Sequence, residues 1–280
     1  MRVAVVGHVE WVDFARVERL PQRGEIIQAS ECWSEPAGGG AVSAAQLARL
    51  AGRSTLYTAF GTSGLGEQAW VRLETLGVRV EAVARDEPQR RGFTFVDADG
   101  ERTITIIGEK QVPLAADELA WDELAQTDAV YFVSGDPEAL RLARRARVLV
   151  ATARVLPTIA EAGVELDALV RSARDPSERY APGQLDPEPR LVVATSGREG
   201  GAWQRATGRA GTYEAAPLPG PLEDTYGAGD SFAAGLAYAL GRGDGAEAAL
   251  AVAAGCGAAA LARRGAHGGA AAMPAGPRAS

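Results

Sequence analysis

Lysine is almost missing from this chain of 280 residues: of its 29 lysines and arginines only Lys110 is a lysine, and asparagine does not occur at all. A Gly-Lys-Ser/Thr phosphate loop is therefore excluded, because Lys110 is followed by Gln111 and Val112, and any lysine Schiff base would have to use Lys110. Cysteine is scarce too. Cys32 and Cys256 allow at most one disulfide, whereas a small secreted scaffold needs several. Together with His8 and His267 they fit no zinc spacing. No apolar run approaches the ~18 residues of a membrane span, and no charged-then-apolar leader opens the chain, so a cytoplasmic protein without membrane contact is expected. Basic residues are outnumbered by 36 acidic ones, for a net charge of -7, which leaves no broad cationic surface for nucleic acid.

The residues present alternate between strand and helix patterns. Arg2 to Gly7 is a β-branched run ended by glycine, as in a strand buried on both faces of a parallel sheet. Helical spacing follows at 41–51 and 64–76. Strand-like runs at 54–60, 78–84, 129–133 and 148–151 alternate with further helices, and 191–195, 202–205 and 212–216 read as strands closing one side of the sheet. This order predicts a layered α/β fold with a mostly parallel sheet. Two stretches break the rhythm, at about 9–35 and 88–108. The second contains a hairpin turned at Asp99-Gly100, with Phe93, Phe95, Ile104 and Ile106 expected on one face covering a pocket. The two insertions together are read as a small β lid on a single domain spanning 1–280, with 266–280 as a flexible tail rich in Gly, Ala and Pro.

The chemistry concentrates in Asp224-Thr-Tyr-Gly-Ala-Gly-Asp230, directly before a long apolar helix. Two glycines around one small residue let several backbone N–H groups converge at a helix N-terminus, which makes an anion-binding nest. A carboxylate beside such a nest repels phosphate. Asp230 fits there as the group that takes a proton from a hydroxyl attacking the phosphate, in preference to a plain helix cap.

That segment resembles the C-terminal signature of the ribokinase-like, PfkB-type carbohydrate kinases, and the resemblance extends over almost the whole chain. It implies a three-layer sandwich with a β lid and a phosphotransferase with an alcohol acceptor. Asp230 would be the base, with Gly227, Ala228 and Gly229 as the anion hole. Gly38-Gly39-Gly40-Ala-Val-Ser43 is similar to the sugar-holding glycine motif, which assigns Gly38, Gly39 and Ser43 to the acceptor, with Asp13 and Phe93 of the lid insertions beside them. Thr195, Gly197 and Gly200 resemble the nucleotide-side turn, and Gly257 falls in the helix expected beside the adenine. The resemblance implies ATP and magnesium, the metal ordered through water by Glu178, and leaves a monovalent cation and a homodimer through the lid open. Departures from the family pattern are specific: Ser43 and Asp175 stand where the family has asparagine, and Val12 holds the place of a lid aspartate that Asp13 follows.

Other readings were weighed on the same residues. Gly255-Cys-Gly257-Ala-Ala-Ala260 loosely matches a dinucleotide fingerprint, but it lies within a helical run with no strand before it, so helix packing is expected. A nucleoside acceptor would call for a base stacked on Trp11 or Trp33, and a sugar-binding regulator would not need Asp230 and its nest. His8 follows the first strand, where clefts of α/β sheets form. Arg90 and Arg91 read as a solvated pair at the lid edge, with phosphate steering as the alternative.

Overall fold

The computed structural model describes residues 1–268. Its first strand, β1 (Val3–Val6), is buried at every residue, as the β-branched run predicts. Val3 and Val5 face one hydrophobic layer, and Ala4 and Val6 face the other. The lid strands β2 (Glu10–Arg16) and β3 (Glu31–Ala37) follow, and then α1 (Gly38–Ala51), β4 (Ser54–Gly61), α2 (Gly64–Thr75) and β5 (Val78–Arg85). The lid is completed by β6 (Arg91–Val96) and β7 (Arg102–Ile107). The chain then re-enters the main sheet through β8 (Ala129–Phe132), α3 (Pro137–Ala143), β9 (Val148–Thr152), α4 (Leu156–Ala162), β10 (Ala168–Ser172) and β11 (Leu191–Thr195). Two antiparallel strands, β12 (Gly201–Arg205) and β13 (Ala210–Tyr213), close that edge before α5 (Ala228–Arg242) and α6 (Ala246–Leu261).

The large sheet runs β13-β12-β11-β10-β9-β8-β1-β4-β5 and is parallel from β11 to β5. After β1 the chain builds outward through β4 and β5, and after β8 it builds the other way. The order therefore reverses between β1 and β8, and in open α/β sheets the crevice at the carboxyl ends of such a pair is where ligands bind. His8, just past β1, and Ser134, just past β8, meet there: the backbone N–H of His8 donates to Ser134 Oγ at 3.0 Å.

The second sheet has the order β3-β2-β6-β7. Its register corrects one expectation. Thr94 pairs with Ile104 and Gly92 with Ile106, whereas Phe93 pairs with Thr105 and Phe95 with Thr103. Paired residues of a ladder share a face, so Phe93 and Phe95 lie on the face opposite Ile104 and Ile106. The face carrying Val12, Phe14 and Val96 packs against Val42 of α1 and Tyr226. Asp13 and Phe93, paired with each other across β2 and β6, point the other way. A second correction concerns the tail: Ala266 and His267 are buried, and the N–H of Ala266 donates to Glu35 Oε1 at 2.8 Å. The remainder, 269–280, lies outside the described residues.

The crevice is shaped by a close approach of α1 to the end of β1. The Gly40 N–H donates to the His8 carbonyl at 3.1 Å, and a Cβ on Gly40 would sit 2.4 Å from that oxygen. At Gly255 in α6 an added Cβ meets nothing within 4 Å. Gly40→Ala should therefore lose about 3 kcal/mol, at the upper end of ordinary overpacking, while Gly255→Ala should gain roughly 0.5–1 kcal/mol from helix propensity. Urea melts of the two variants check this, and equal stabilities would refute the close-approach argument.

Candidate active site

The signature loop is pinned from within. Asp224 is buried; its Oδ1 accepts the Tyr226 N–H at 2.8 Å and its Oδ2 accepts the Gly265 N–H. Tyr226 in turn accepts the Gly38 N–H on its hydroxyl at 3.2 Å, which ties the signature to the N-terminal glycine motif. Gly227 then caps α5 in the left-handed region at φ 72°, where a side chain would also press to 2.8 Å from Val42 Cγ1. With the chain turned this way, the first amides of α5 have no acceptor within the helix. At Gly229 an added Cβ meets nothing within 4 Å, so this position faces open space.

That open space is a cavity of ≈ 740 Å³ lined by Ala228, Gly229, Thr195, Gly197, Gly200 and Gly257 together with Phe232, Tyr213 and Leu261. The residues assigned from the sequence to the nucleotide side and to the anion hole thus meet, except that Gly227 shapes the turn from behind. Arg174 and Arg198 also line this cavity. Arg198 lies within the glycine turn already assigned to the nucleotide side, whereas Arg174 falls outside it and only the assembled fold reveals it.

Asp230 sits in the first turn of α5 and faces the other glycine motif: a Cβ on Gly39 would lie 3.1 Å from Asp230 Oδ1. Burial raises the Asp230 carboxyl above its ordinary range, and the positive charges of Arg154 and Arg102 pull it partly back. Arg154 follows β9 and donates its Nε to Glu178 Oε1 at 2.7 Å. The other oxygen of Glu178 accepts the Ser172 N–H at 2.6 Å, so this buried carboxylate is held at both ends and aims Arg154 at Asp230. The lid reaches the same point. The Thr225 N–H donates to the Gly100 carbonyl at 3.0 Å, and Arg102 donates to the Thr225 carbonyl.

Beside Gly38 lie His8 and Glu10. A Cβ on Gly38 would be 3.3 Å from His8 Cδ2 and 3.1 Å from Glu10 Cγ. Ser134 Oγ, which accepts from the His8 backbone, lies 2.9 Å from His8 Nδ1 and has its own hydrogen free for that nitrogen. This assigns the neutral ring's proton to Nε2, 3.6 Å from Glu10 Oε1. Burial, then the charges of Lys110, Arg90 and Arg154, hold His8 well below its usual pKa. Arg90 is not a solvated lid-edge residue: its Nε donates to buried Glu10 at 2.7 Å.

Three residues expected at the acceptor are not brought there. Asp13 faces away from the body and is engaged by Arg91 at 2.7 Å and by the Ser34 hydroxyl at 2.5 Å. Phe93 shares that outer face and packs edge-on against Phe95. Ser43 is fully buried, with its hydroxyl 3.4 Å from the Asp230 carbonyl, and joins α1 to α5. Glu10 and Arg154 carry no sequence signal, because no local pattern links the start of β2 with the end of β9; for Arg90 the sequence offers phosphate steering as the alternative to a solvated pair.

Comparison with known proteins agrees with this architecture. The pfkB family carbohydrate kinase model matches residues 1–179 and 155–272. An ATP-dependent ribose-1-phosphate kinase of Halopiger xanaduensis is 30% identical over 252 residues, 84% of this chain and 83% of that one. Among solved structures, ribokinase from Thermotoga maritima superposes with a TM-score of 0.75 at 19% identity, covering 95% of this chain and 94% of its own. Adenosine kinase from Sinorhizobium meliloti superposes with 0.76 at 20% identity, covering 95% of each. The chain belongs to the pfkB family of carbohydrate kinases, phosphotransferases that use an alcohol group as acceptor. Its fold is that of the ribokinases, an α/β sandwich with a smaller β sheet beside it. No helix among the described residues is long and apolar enough to cross a membrane.

The electrostatics of Asp230 lead to a direct measurement. In a carbon-13 NMR titration its carboxyl should show a midpoint above the ~3.9 of a free aspartate. The midpoint should rise further in Arg154→Met, because a charge that favours the ionised form is removed. A midpoint at or below the ordinary value, or a fall in the variant, would contradict the geometry.

Proposed function

We propose that this protein transfers the γ-phosphoryl group of ATP to a hydroxyl of a sugar or sugar-like acceptor, with Asp230 as general base. The observation that carries the reading is the opposition of Asp230 to the Gly38-Gly39 backbone, next to amides at the start of α5 that open into the ≈ 740 Å³ cavity. The acceptor lies on the glycine side and the nucleotide in the cavity. Asp230 takes the hydroxyl proton as the acceptor oxygen bonds to the γ-phosphorus; the bond from that phosphorus to the bridging oxygen breaks, and ADP leaves. The amides of Ala228, Gly229 and Asp230 hold the moving phosphoryl oxygens, and the turn at Gly227 aims them.

A raised carboxyl suits this task, since a base with a pKa nearer the working pH takes a proton more readily. Water must be kept from the phosphoryl group, and the lid does so: the hairpin tip at Gly100 and Arg102 is already bonded to Thr225 of the signature. A magnesium ion carried with the nucleotide would meet a single carboxylate here, since the described residues hold no cluster of three or more His, Cys, Asp or Glu able to bind a metal. Glu178 keeps lone pairs beyond its bonds to Arg154 and Ser172 and would hold the ion through water, and the ion would supply neutralising charge at the phosphates.

Relatives divide on the acceptor. That of Halopiger is named for ribose-1-phosphate, those of Arabidopsis thaliana and Staphylococcus aureus are ribokinases, and a solved structure of similar fold is an adenosine kinase. A nucleoside is the weaker reading for this chain. Trp33, one of two rings available for stacking a base, is covered by Phe14 at 4.9 Å on one side and by Arg264 at 4.7 Å.

Asp230→Asn is the decisive variant. It should lower kcat by ~10² to 10⁴ with the ATP KM little changed. Its thermal stability at pH 8 should be equal or higher: the folded-state pKa is raised, so the ionised carboxylate costs stability above that pKa, and the neutral amide removes the cost. Activity within a few-fold of the parent would remove Asp230 from the role of base.

A further inference from the structure

The acceptor side carries more positive charge than the transfer step uses. Arg90 is held through Nε by Glu10, and this is the one bond its guanidinium makes among the described residues, so both terminal amino groups remain free. Its backbone is fixed as well: the Arg90 N–H donates to the side-chain oxygen of buried Gln111 at 3.0 Å, and the Gln111 amide donates to the Pro88 carbonyl at 3.2 Å. Lys110, the sole lysine of the chain, precedes Gln111 directly; it is exposed, and its charge and that of Arg90 act on each other. Lys110 forms no hydrogen bond or ion pair among the described residues. Partial burial of its ammonium and the nearby charge of Arg90 lower its pKa, with Glu10 opposing and Arg154 reinforcing that effect.

The groups facing this cluster are few. Arg154 adds a third positive charge nearby, His8 is neutral, Glu10 is a carboxylate already paired with Arg90, and Gly38 offers backbone alone. Two cations confront each other over one counter-charge, beside the backbone that faces Asp230. Such a cluster is repulsive until an anion enters, and a guanidinium fixed through Nε presents its two terminal amino groups as a ready fork. Neither Arg90 nor Lys110 lines the nucleotide cavity, where Arg174 and Arg198 stand instead. Arg154 is the cation with the largest influence on the base, and in the proposed reaction it serves the phosphoryl group in transit.

Resting on the kinase reading above, we infer that the acceptor is a sugar that already bears a phosphate monoester, gripped by the free fork of Arg90 and the ammonium of Lys110, with its free hydroxyl presented to Asp230. The dianion matches the two positive charges, and its three terminal oxygens can take the fork and the ammonium together. A carboxylate brings one charge and two oxygens. The new O–P bond forms at the hydroxyl, its proton passes to Asp230, and ADP departs, so the product is a sugar bisphosphate.

The test is an ADP-release assay with ATP and four acceptors: a neutral aldopentose, its 1-phosphate, its 5-phosphate and the matching aldonate. One of the two phosphates should exceed the neutral sugar by about 100-fold or more in kcat/KM. Lys110→Met should raise the KM for that phosphate roughly 10- to 100-fold, with the melting temperature retained and a far smaller effect on the neutral sugar; Lys110→Arg should restore most of the loss. Calorimetric titration of the sugar phosphate without nucleotide should show the same loss of affinity in Lys110→Met. Turnover that depends on Asp230 but favours the neutral sugar or the aldonate would overturn the phosphate assignment and leave the kinase reading standing. So would a Lys110→Met effect equal for all four acceptors. Absence of turnover with all four acceptors, and with adenosine assayed as a fifth, would sink both.

Discussion

A carboxylate in the first turn of a helix, beside amides free to bind an anion, is the constraint around which this molecule is arranged. Asp230 and the amides before it make opposite demands: the amides attract the negative charge that the carboxylate repels. The fold satisfies both by spending cations. Arg154, aimed by a glutamate held at both oxygens, and Arg102, delivered by the lid, bring positive charge to Asp230 and keep its carboxyl from rising as far as burial alone would drive it. In the proposed mechanism the same charges lie beside the phosphoryl group as it gathers negative charge. One arrangement thus tunes the base and prepares the path.

The glycine motif at 38–40 serves that constraint from the other side. It closes α1 onto the end of β1 and puts bare backbone opposite Asp230, which suits the acceptor position proposed above. The small sheet bonds at its tip to Thr225 within the signature segment, which in the proposed mechanism couples lid position to the alignment of Asp230. Tyr226 links the two glycine motifs through the Gly38 N–H, so acceptor side, lid and base share one hydrogen-bonded frame.

What was legible in the sequence was local. The signature reads as a nest followed by a carboxylate because seven consecutive residues hold the whole device, and the glycine triplet and the Asp99-Gly100 turn read for the same reason. The parity of the lid strands was not legible: Phe93 and Ile104 differ by a register that only the observed pairing of Thr94 with Ile104 fixes, and a shift of one residue moves every side chain to the other face. Asp13 was misplaced by the same parity, one residue past Val12, which faces inward. Arg90 read as solvated because its partner Glu10 is 80 residues away in sequence, and Ser43 read as an acceptor contact because its position in the motif says nothing of the helix face it occupies. The acceptor side is built from the ends of separate strands, so its charge appears only after folding.

The central claim is that the α5 amides hold the phosphoryl group while Asp230 holds the acceptor hydroxyl. A crystal structure with ADP, aluminium fluoride and the preferred acceptor tests this most directly. The account predicts the fluoride group against the N–H groups of Ala228 and Gly229, with the acceptor oxygen in line with it and within about 2.6–3.2 Å of an Asp230 carboxylate oxygen. A fluoride group bound away from those amides, or an acceptor oxygen nearer another side chain than Asp230, would contradict it.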